Sequence, residues 1–203
     1  MNPNVNVILE RAKELILKPA MAWESIKQEK GDLKQLYLNY AMPLALIPVV
    51  CGLIGITLFG VHLPGGQVMR APFFSALLGS VLEYAFQLLT IFLTAHLIVY
   101  FAPYFNIKAD LFSAAKLLVY SMTPLWLVGV FQLFPGVAFL SILGLYAGYL
   151  LVVGLPVLLE ISSGKLFWTA LAVIIAWILI GFVLNLITFG LIYGPMYMRM
   201  MAQ

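Results

Sequence analysis

Five stretches of this chain run almost without charge through 41–60, 73–100, 117–134, 137–159 and 168–190. No other feature narrows the fold as much. In hydrocarbon a backbone finds no water, so its N–H and C=O groups must pair within the segment. An apolar run of about 20 residues therefore becomes a helix that crosses the bilayer. The class this predicts is an all-α, polytopic membrane protein with five transmembrane helices. Composition agrees, since 64% of the 203 residues are hydrophobic and only 9% charged, with a mean hydropathy of +1.05. Soluble domains carry about a quarter charged residues.

The polar residues outside the runs divide the chain further. Residues 5–18 read VNVILERAKELILK, with Val5, Ile8, Leu9, Ala12, Leu15 and Ile16 on one helical face. Glu10, Arg11, Lys13 and Glu14 crowd the other. That pattern predicts an amphipathic interfacial helix, lying on the membrane surface or packed on its own protein. Pro19 interrupts it, and Trp23 in the next segment is a residue type common at membrane interfaces. Asp32 and Gln35 then form a capping box that restarts a helix. The expected organisation is a cytosolic or interfacial segment at 1–40, a membrane domain at 41–190 and a short tail at 191–203.

Charge sets the expected orientation. Arg11, Lys13, Lys18, Lys27, Lys30, Lys34, Lys108, Lys116 and Lys165 fall on the side of the N-terminus, and Arg70 and Arg199 on the other. Basic loops face the cytosol, which places the N-terminus inside and the C-terminus outside. Six basic residues before position 35 are accompanied by five acidic ones, so the N-terminal segment is a mixed-charge face and not a nucleic-acid arm. Cys51 is the only cysteine, which excludes an intrachain disulfide and any Cys-rich metal site. The first apolar run begins only near residue 41, so no signal peptide is expected.

Several segments resemble the Yip family of Rab- or Ypt-interacting membrane proteins, in its bacterial branch. They are KPAMAWESIKQE before the spans, YAMPLALIP opening the first, AAKLLVYSMTPLW in the third and LYAGYLLVVGLPVLLE in the fourth. Lys18, Pro19, Trp23 and Ile26 match the pre-membrane pattern. Tyr120 and Pro124 match that of the third span, and Tyr149, Gly154 and Pro156 that of the fourth. The resemblance covers about residues 18–190. It implies a five-span inner-membrane protein with no catalytic residue and no cofactor. Eukaryotic members are associated with vesicle traffic and small GTPases, and nothing in this chain carries that partner over.

Glu83 is the acid that stands within a span. Stepping from it by 4, 7 and 11 residues reaches Gln87, Thr90 and Thr94, all within about 40° on the helix surface at 100° per residue. Ser80, Gly79 and Ala76 continue the line backwards. A small-and-polar face of this kind belongs against other helices or water, not lipid. Two roles stay open. Glu83 lines a polar cavity for a cation or proton, with Gln87, Thr90 and Thr94 adding oxygens. Alternatively it is neutral and hydrogen-bonds to a neighbouring helix. Lys116, Glu160 and Lys165 form a candidate charge network at the membrane boundary. Gly144 and Gly148 have the small-xxx-small spacing of close helix contact. His96 falls on the opposite side from the Glu83 face, so a relay between them is not expected.

No motif of nucleophilic, metal-dependent or phosphate-binding catalysis is present. ISSGK at 161–165 has only the tail of a Walker sequence. The leading expectation is therefore a non-enzymatic assembly, membrane-organising or trafficking-type factor. The alternative is a small transporter or channel using the Glu83 seam. Expected partners are the lipid bilayer and, beyond it, a second copy or other membrane proteins, without cofactor, metal or nucleic acid.

Overall fold

The computed structural model describes residues 5–62, 68–105, 107–188 and 190. The expected tail at 191–203, with Arg199, lies outside them. Five helical stretches are long and apolar enough to cross a membrane: Leu33–Phe59, Phe73–Phe105, Leu111–Leu133, Phe139–Leu159 and Ser163–Thr188. The chain is thus an all-α polytopic protein with extra helices before the first span.

Those extra helices are α1 (Val5–Leu17) and α2 (Pro19–Gln28). Proline at the first position of α2 is suited to a helix start, because no intrahelical partner exists there for its missing N–H. A short α3 (Leu33–Leu36) follows, capped by Asp32 accepting from the Gln35 amide at 2.7 Å. It runs through a π-turn at Tyr37–Ala41 directly into α4 (Met42–Ile54). One continuous helical stretch, Leu33–Phe59, thus contains the first span. Glycine ends it: Gly60 takes φ 75°, a left-handed conformation that costs a Cβ-bearing residue energy. Two short antiparallel strands pair Val61 with Met69 and His62 with Val68.

The second span is α5 (Phe73–Phe101), prolonged by a 3-10 turn at Ala102–Phe105. The third is broken. Its first part, α6 (Leu111–Ser121), is capped by Asp110, and α7 (Thr123–Val128) restarts with Pro124 in its first turn. The chain then winds as 3-10 helix through Gly129–Leu133 and Pro135–Leu145 before α8 (Tyr146–Leu159) and α9 (Ser163–Thr188). Close approach goes with the tight winding. A Cβ on Gly129 would lie 2.5 Å from Pro48 Cβ, and one on Gly55 would lie 2.1 Å from the Gln132 carbonyl oxygen.

The core follows the third span, the most enclosed of the five. Leu117, Leu118, Val119, Leu150, Leu155, Trp23 and Ile26 are all fully buried within it. Burial of each such side chain is worth about 1.5–3 kcal/mol where water is the alternative. α2 lies against α8, and α5 lies against α4, α6 and α9. The end of the bundle that carries α1 and α2 is called the arm end below.

Candidate functional site

The arm is built into the bundle rather than laid beside it. Ile8, Ala12 and Leu15 are the buried residues of α1. Val7 and Ile8 share a cavity of about 310 Å³ with Asn39, Tyr40, Lys116 and Tyr120. At the other end of α1, the Ile16 carbonyl accepts a hydrogen bond from the Tyr146 hydroxyl at 3.1 Å. α1 therefore reaches from the first span to the fourth and touches α7 of the third between them. The amphipathic stripe divides. Ile8, Ala12 and Leu15 face protein, while Val5, Leu9 and Ile16 are 63%, 56% and 40% exposed.

Polar contacts hold this arrangement. Lys116, only 3% exposed, donates to the carbonyls of Ile26 at 2.8 Å and Glu29 at 3.2 Å. It thereby adds a second donor to the Ile26 carbonyl, which also accepts the Glu29 N–H at 3.2 Å, and supplies one to the Glu29 carbonyl. It also places a cation where the helix dipole is negative. The Glu29 carboxylate accepts from Arg11 of α1 and from the Tyr120 hydroxyl, the latter at 2.9 Å. The Arg11 guanidinium also lies 6.0 Å from the centre of the Tyr120 ring and pairs with Glu14 at 2.8 Å. One acidic residue thus joins the arm's first helix, its second helix and the third span. Packing completes the joint, since a Cβ on Gly154 would sit 2.7 Å from the Trp23 ring. The Trp23 Nε1 is buried without a hydrogen-bond partner among the described residues, so this tryptophan is held by shape.

Lys116, Glu160 and Lys165 are not brought together. Lys116 is taken by α2, Glu160 pairs with Lys27 at 3.1 Å, and Lys165 donates to the Phe105 carbonyl at 2.7 Å. The reason is geometric: Lys116 lies on the buried side of α6, and Glu160 ends α8 on an exposed left-handed turn, φ 52°. The hydrogen bond and charge of Lys27 hold the Glu160 carboxyl below the usual range. Gly144 and Gly148 also part company. Gly144 packs closely on Leu125, whereas nothing stands within 4 Å of a Cβ at Gly148.

Along α5 the buried residues include Ala76, Gly79, Ser80, Thr90 and Thr94, the small-and-polar face read from its periodicity. α5 and α9 come together near Thr90 and Gly181 and leave recesses on both sides of that contact. One recess, of about 530 Å³, is lined by Glu83, Gln87, Thr90, Trp126, Trp177 and Asn185. Glu83 opens into it, exposed, and no hydrogen bond or ion pair to it occurs among the described residues. Its neighbours are already engaged. Thr90 donates to the Phe86 carbonyl at 2.8 Å, Thr94 to Thr90 at 2.7 Å, and Asn185 to Gly181 at 2.9 Å. Gln87 is a clamp between helices, donating to the Ala45 carbonyl at 3.4 Å and accepting from the Trp126 indole at 3.0 Å. His96 stands apart from the seam, exposed, its Nδ1 2.8 Å from the Phe92 carbonyl.

Sequence reasoning passed over Arg11, Glu29, Tyr40, Trp126 and Thr123 as site residues. Tyr40 and Thr123 share a buried hydrogen bond of 2.9 Å. Lys116 and Tyr120 are one turn apart, and that spacing was the available signal that a polar pair faces the interior. Among the described residues, no group of three or more His, Cys, Asp or Glu is placed to hold a metal.

A five-span helical bundle, joined at one end to an amphipathic arm and lacking a metal-binding cluster among its described residues, defines a polytopic membrane protein. The Yip1-domain model matches residues 13–185, and the chain belongs to that family. It is 28% identical over 153 residues to the inner membrane protein YohC of Escherichia coli strain K12, covering 73% of this chain and 78% of that one. The same identity and coverage hold for YohC of an Escherichia coli O6:H1 strain. No solved structure matches the chain.

Proposed function

We propose that the protein is a non-enzymatic assembly, membrane-organising or trafficking-type factor of the bacterial inner membrane that acts through its N-terminal arm. The observation that carries this reading is the divided stripe of α1. One half is locked onto the bundle, and Val5, Leu9 and Ile16 remain as an apolar row exposed among the described residues. Such a row suits a membrane surface or a second membrane protein. Residues 1–40 supply this surface and 41–190 the membrane domain. The described basic residues other than Arg70 lie on the arm side, which supports an N-terminus in the cytosol and a C-terminus outside. A homo-oligomer would bring two such arms together.

The test is crosslinking in intact membranes, comparing the parent chain with Leu9→Glu/Ile16→Glu. Both side chains are exposed, so the fold is retained. Loss of specific crosslinked partners supports the reading, and an unchanged set counts against it.

The second reading is transport of an ion or small solute, favoured by the 530 Å³ recess at the Glu83 carboxyl, which has no partner among the described residues. Proteoliposome flux distinguishes it. Flux that disappears in Glu83→Gln supports transport, and no flux across a broad substrate panel removes it. The engaged hydroxyls of Thr90 and Thr94 make this the weaker case.

A further inference from the structure

On the arm side of the Thr90–Gly181 contact, α5 and α9 part again and enclose a second recess of about 280 Å³. Its walls include Leu97, Phe101, Ala172 and Ala176. The two hydroxyl side chains that reach it are committed to their own helices: Thr94 to the Thr90 carbonyl, and Thr169 to the Lys165 carbonyl at 2.9 Å. The recess therefore offers no free hydroxyl to a polar ligand. It lies between two membrane-spanning helices, where hydrocarbon chains are the surrounding medium.

The rim is different. Lys165 anchors to the carbonyl of Phe105, itself a wall residue, and lies one turn from Thr169. One hydrogen bond leaves an ammonium two further donors. Lys108 follows the wall residue Ile107, is exposed, and has no hydrogen bond or ion pair among the described residues. It stands near enough to Glu160 to act on its carboxylate, which Lys27 already pairs. Lys108 and Lys165 thus stand beside the walls of an apolar slot, and the carboxylate near Lys108 is already paired by Lys27.

We propose that this slot is a binding site for an anionic phospholipid, with one acyl chain between α5 and α9 and the headgroup phosphate held by Lys108 and Lys165. The site does not depend on the arm's role. Ordinary annular lipid would contact the whole outer surface. Here a recess, a dry lining and an excess of positive charge at one end select a molecule with an apolar chain and an anionic head. Two lysines beside an anionic headgroup correspond to a preference of about tenfold or more over a zwitterionic lipid.

Native mass spectrometry of the full chain, released from detergent, tests the site. The probes are a palmitoyl-oleoyl phosphatidylglycerol, the matching phosphatidylcholine and inorganic phosphate. The expected result is a phosphatidylglycerol adduct about tenfold more abundant than the phosphatidylcholine adduct, and none with phosphate alone. Ala172→Phe, which fills the slot from an exposed position, should remove the lipid adducts. Lys108→Gln/Lys165→Gln should keep a lipid adduct but bring the two lipids to parity. Equal binding of both lipids by the parent overturns the proposal, as does an undiminished preference in the lysine variant. A phosphate adduct equal to that of phosphatidylglycerol would show a simple anion site and overturn the acyl-chain assignment. If Ala172→Phe does not fold, the lysine variant decides alone, since both side chains are exposed.

Discussion

Replacing Lys116 with methionine isolates the bond between the arm and the spans. Methionine keeps most of the stem and removes the ammonium that reaches the carbonyls of Ile26 and Glu29. Each hydrogen bond from a charged donor contributes about 1.5–3 kcal/mol, and the Glu29 carbonyl is left without this donor while Ile26 keeps the Glu29 N–H. Against this, the variant no longer buries a charge, which removes part of the cost that opposed docking. The net loss is about 2 kcal/mol, equivalent to about a thirtyfold rise in the undocked fraction of the arm. Ala22 reports that fraction, being 3% exposed on the buried face of α2. With Cys51 replaced by alanine and a cysteine introduced at Ala22, the maleimide labelling rate follows transient undocking. The expected outcome is labelling about thirtyfold faster in Lys116→Met, with no change in Lys165→Met. An unchanged rate in Lys116→Met would refute the assignment of Lys116 as the fastening of the arm. An equal acceleration in both variants would show a nonspecific charge effect instead.

Gly154→Ala should loosen the same joint by about 1–3 kcal/mol through overpacking, because its Cβ would lie 2.7 Å from Trp23 and 2.8 Å from Leu117. The Ala22 labelling assay reads it. Gln87→Met keeps the volume but leaves the Trp126 indole without its acceptor, at a cost of about 1–2 kcal/mol. Thermal unfolding in detergent should show the loss, accompanied by a shift in tryptophan emission. Asp110→Ala removes the cap of α6 and should cost about 1 kcal/mol at neutral pH. Burial alone would raise the Asp110 carboxyl, but hydrogen bonds from Ser113 and from the Phe112 and Asp110 amides together outweigh it and hold the group below its ordinary value. A depressed folded value means that the contribution is complete above the ordinary aspartate range and is lost as pH falls through the folded value. The gap between parent and Asp110→Ala should therefore close in acid, and a gap that persists there contradicts the capping role.

Hydropathy made the five spans legible, because the requirement for internally satisfied backbone acts on each segment alone. The small-and-polar face of α5 was legible for a similar reason, as helical periodicity is local. Partners across helices were not. Lys116 read as a boundary lysine available to Glu160, yet α2 folds back and presents the Ile26 and Glu29 carbonyls to it. Nothing within AAKLLVY identifies that acceptor. Thr90 and Thr94 read as oxygen ligands beside Glu83, but each has a carbonyl of its own helix within reach one turn back. The 3-10 winding of Gly129–Leu133 and Pro135–Leu145 was also hidden, since the same apolar composition serves either helix and close contact at Gly129 and Gly55 goes with the tighter one.

The joint that fastens the arm also orders events during synthesis. Its bonds join residues 90, 130 and 133 positions apart: Lys116 with Ile26, Tyr146 with Ile16, and Glu160 with Lys27. The arm leaves the ribosome first, but its resting place does not exist until the third and fourth spans have entered the bilayer. Until then both halves of the α1 stripe are bare, and the nascent chain presents a wider apolar surface than the finished protein does. Docking is the last long-range closure available to the arm, so an occupied joint marks a chain whose first four spans are in place.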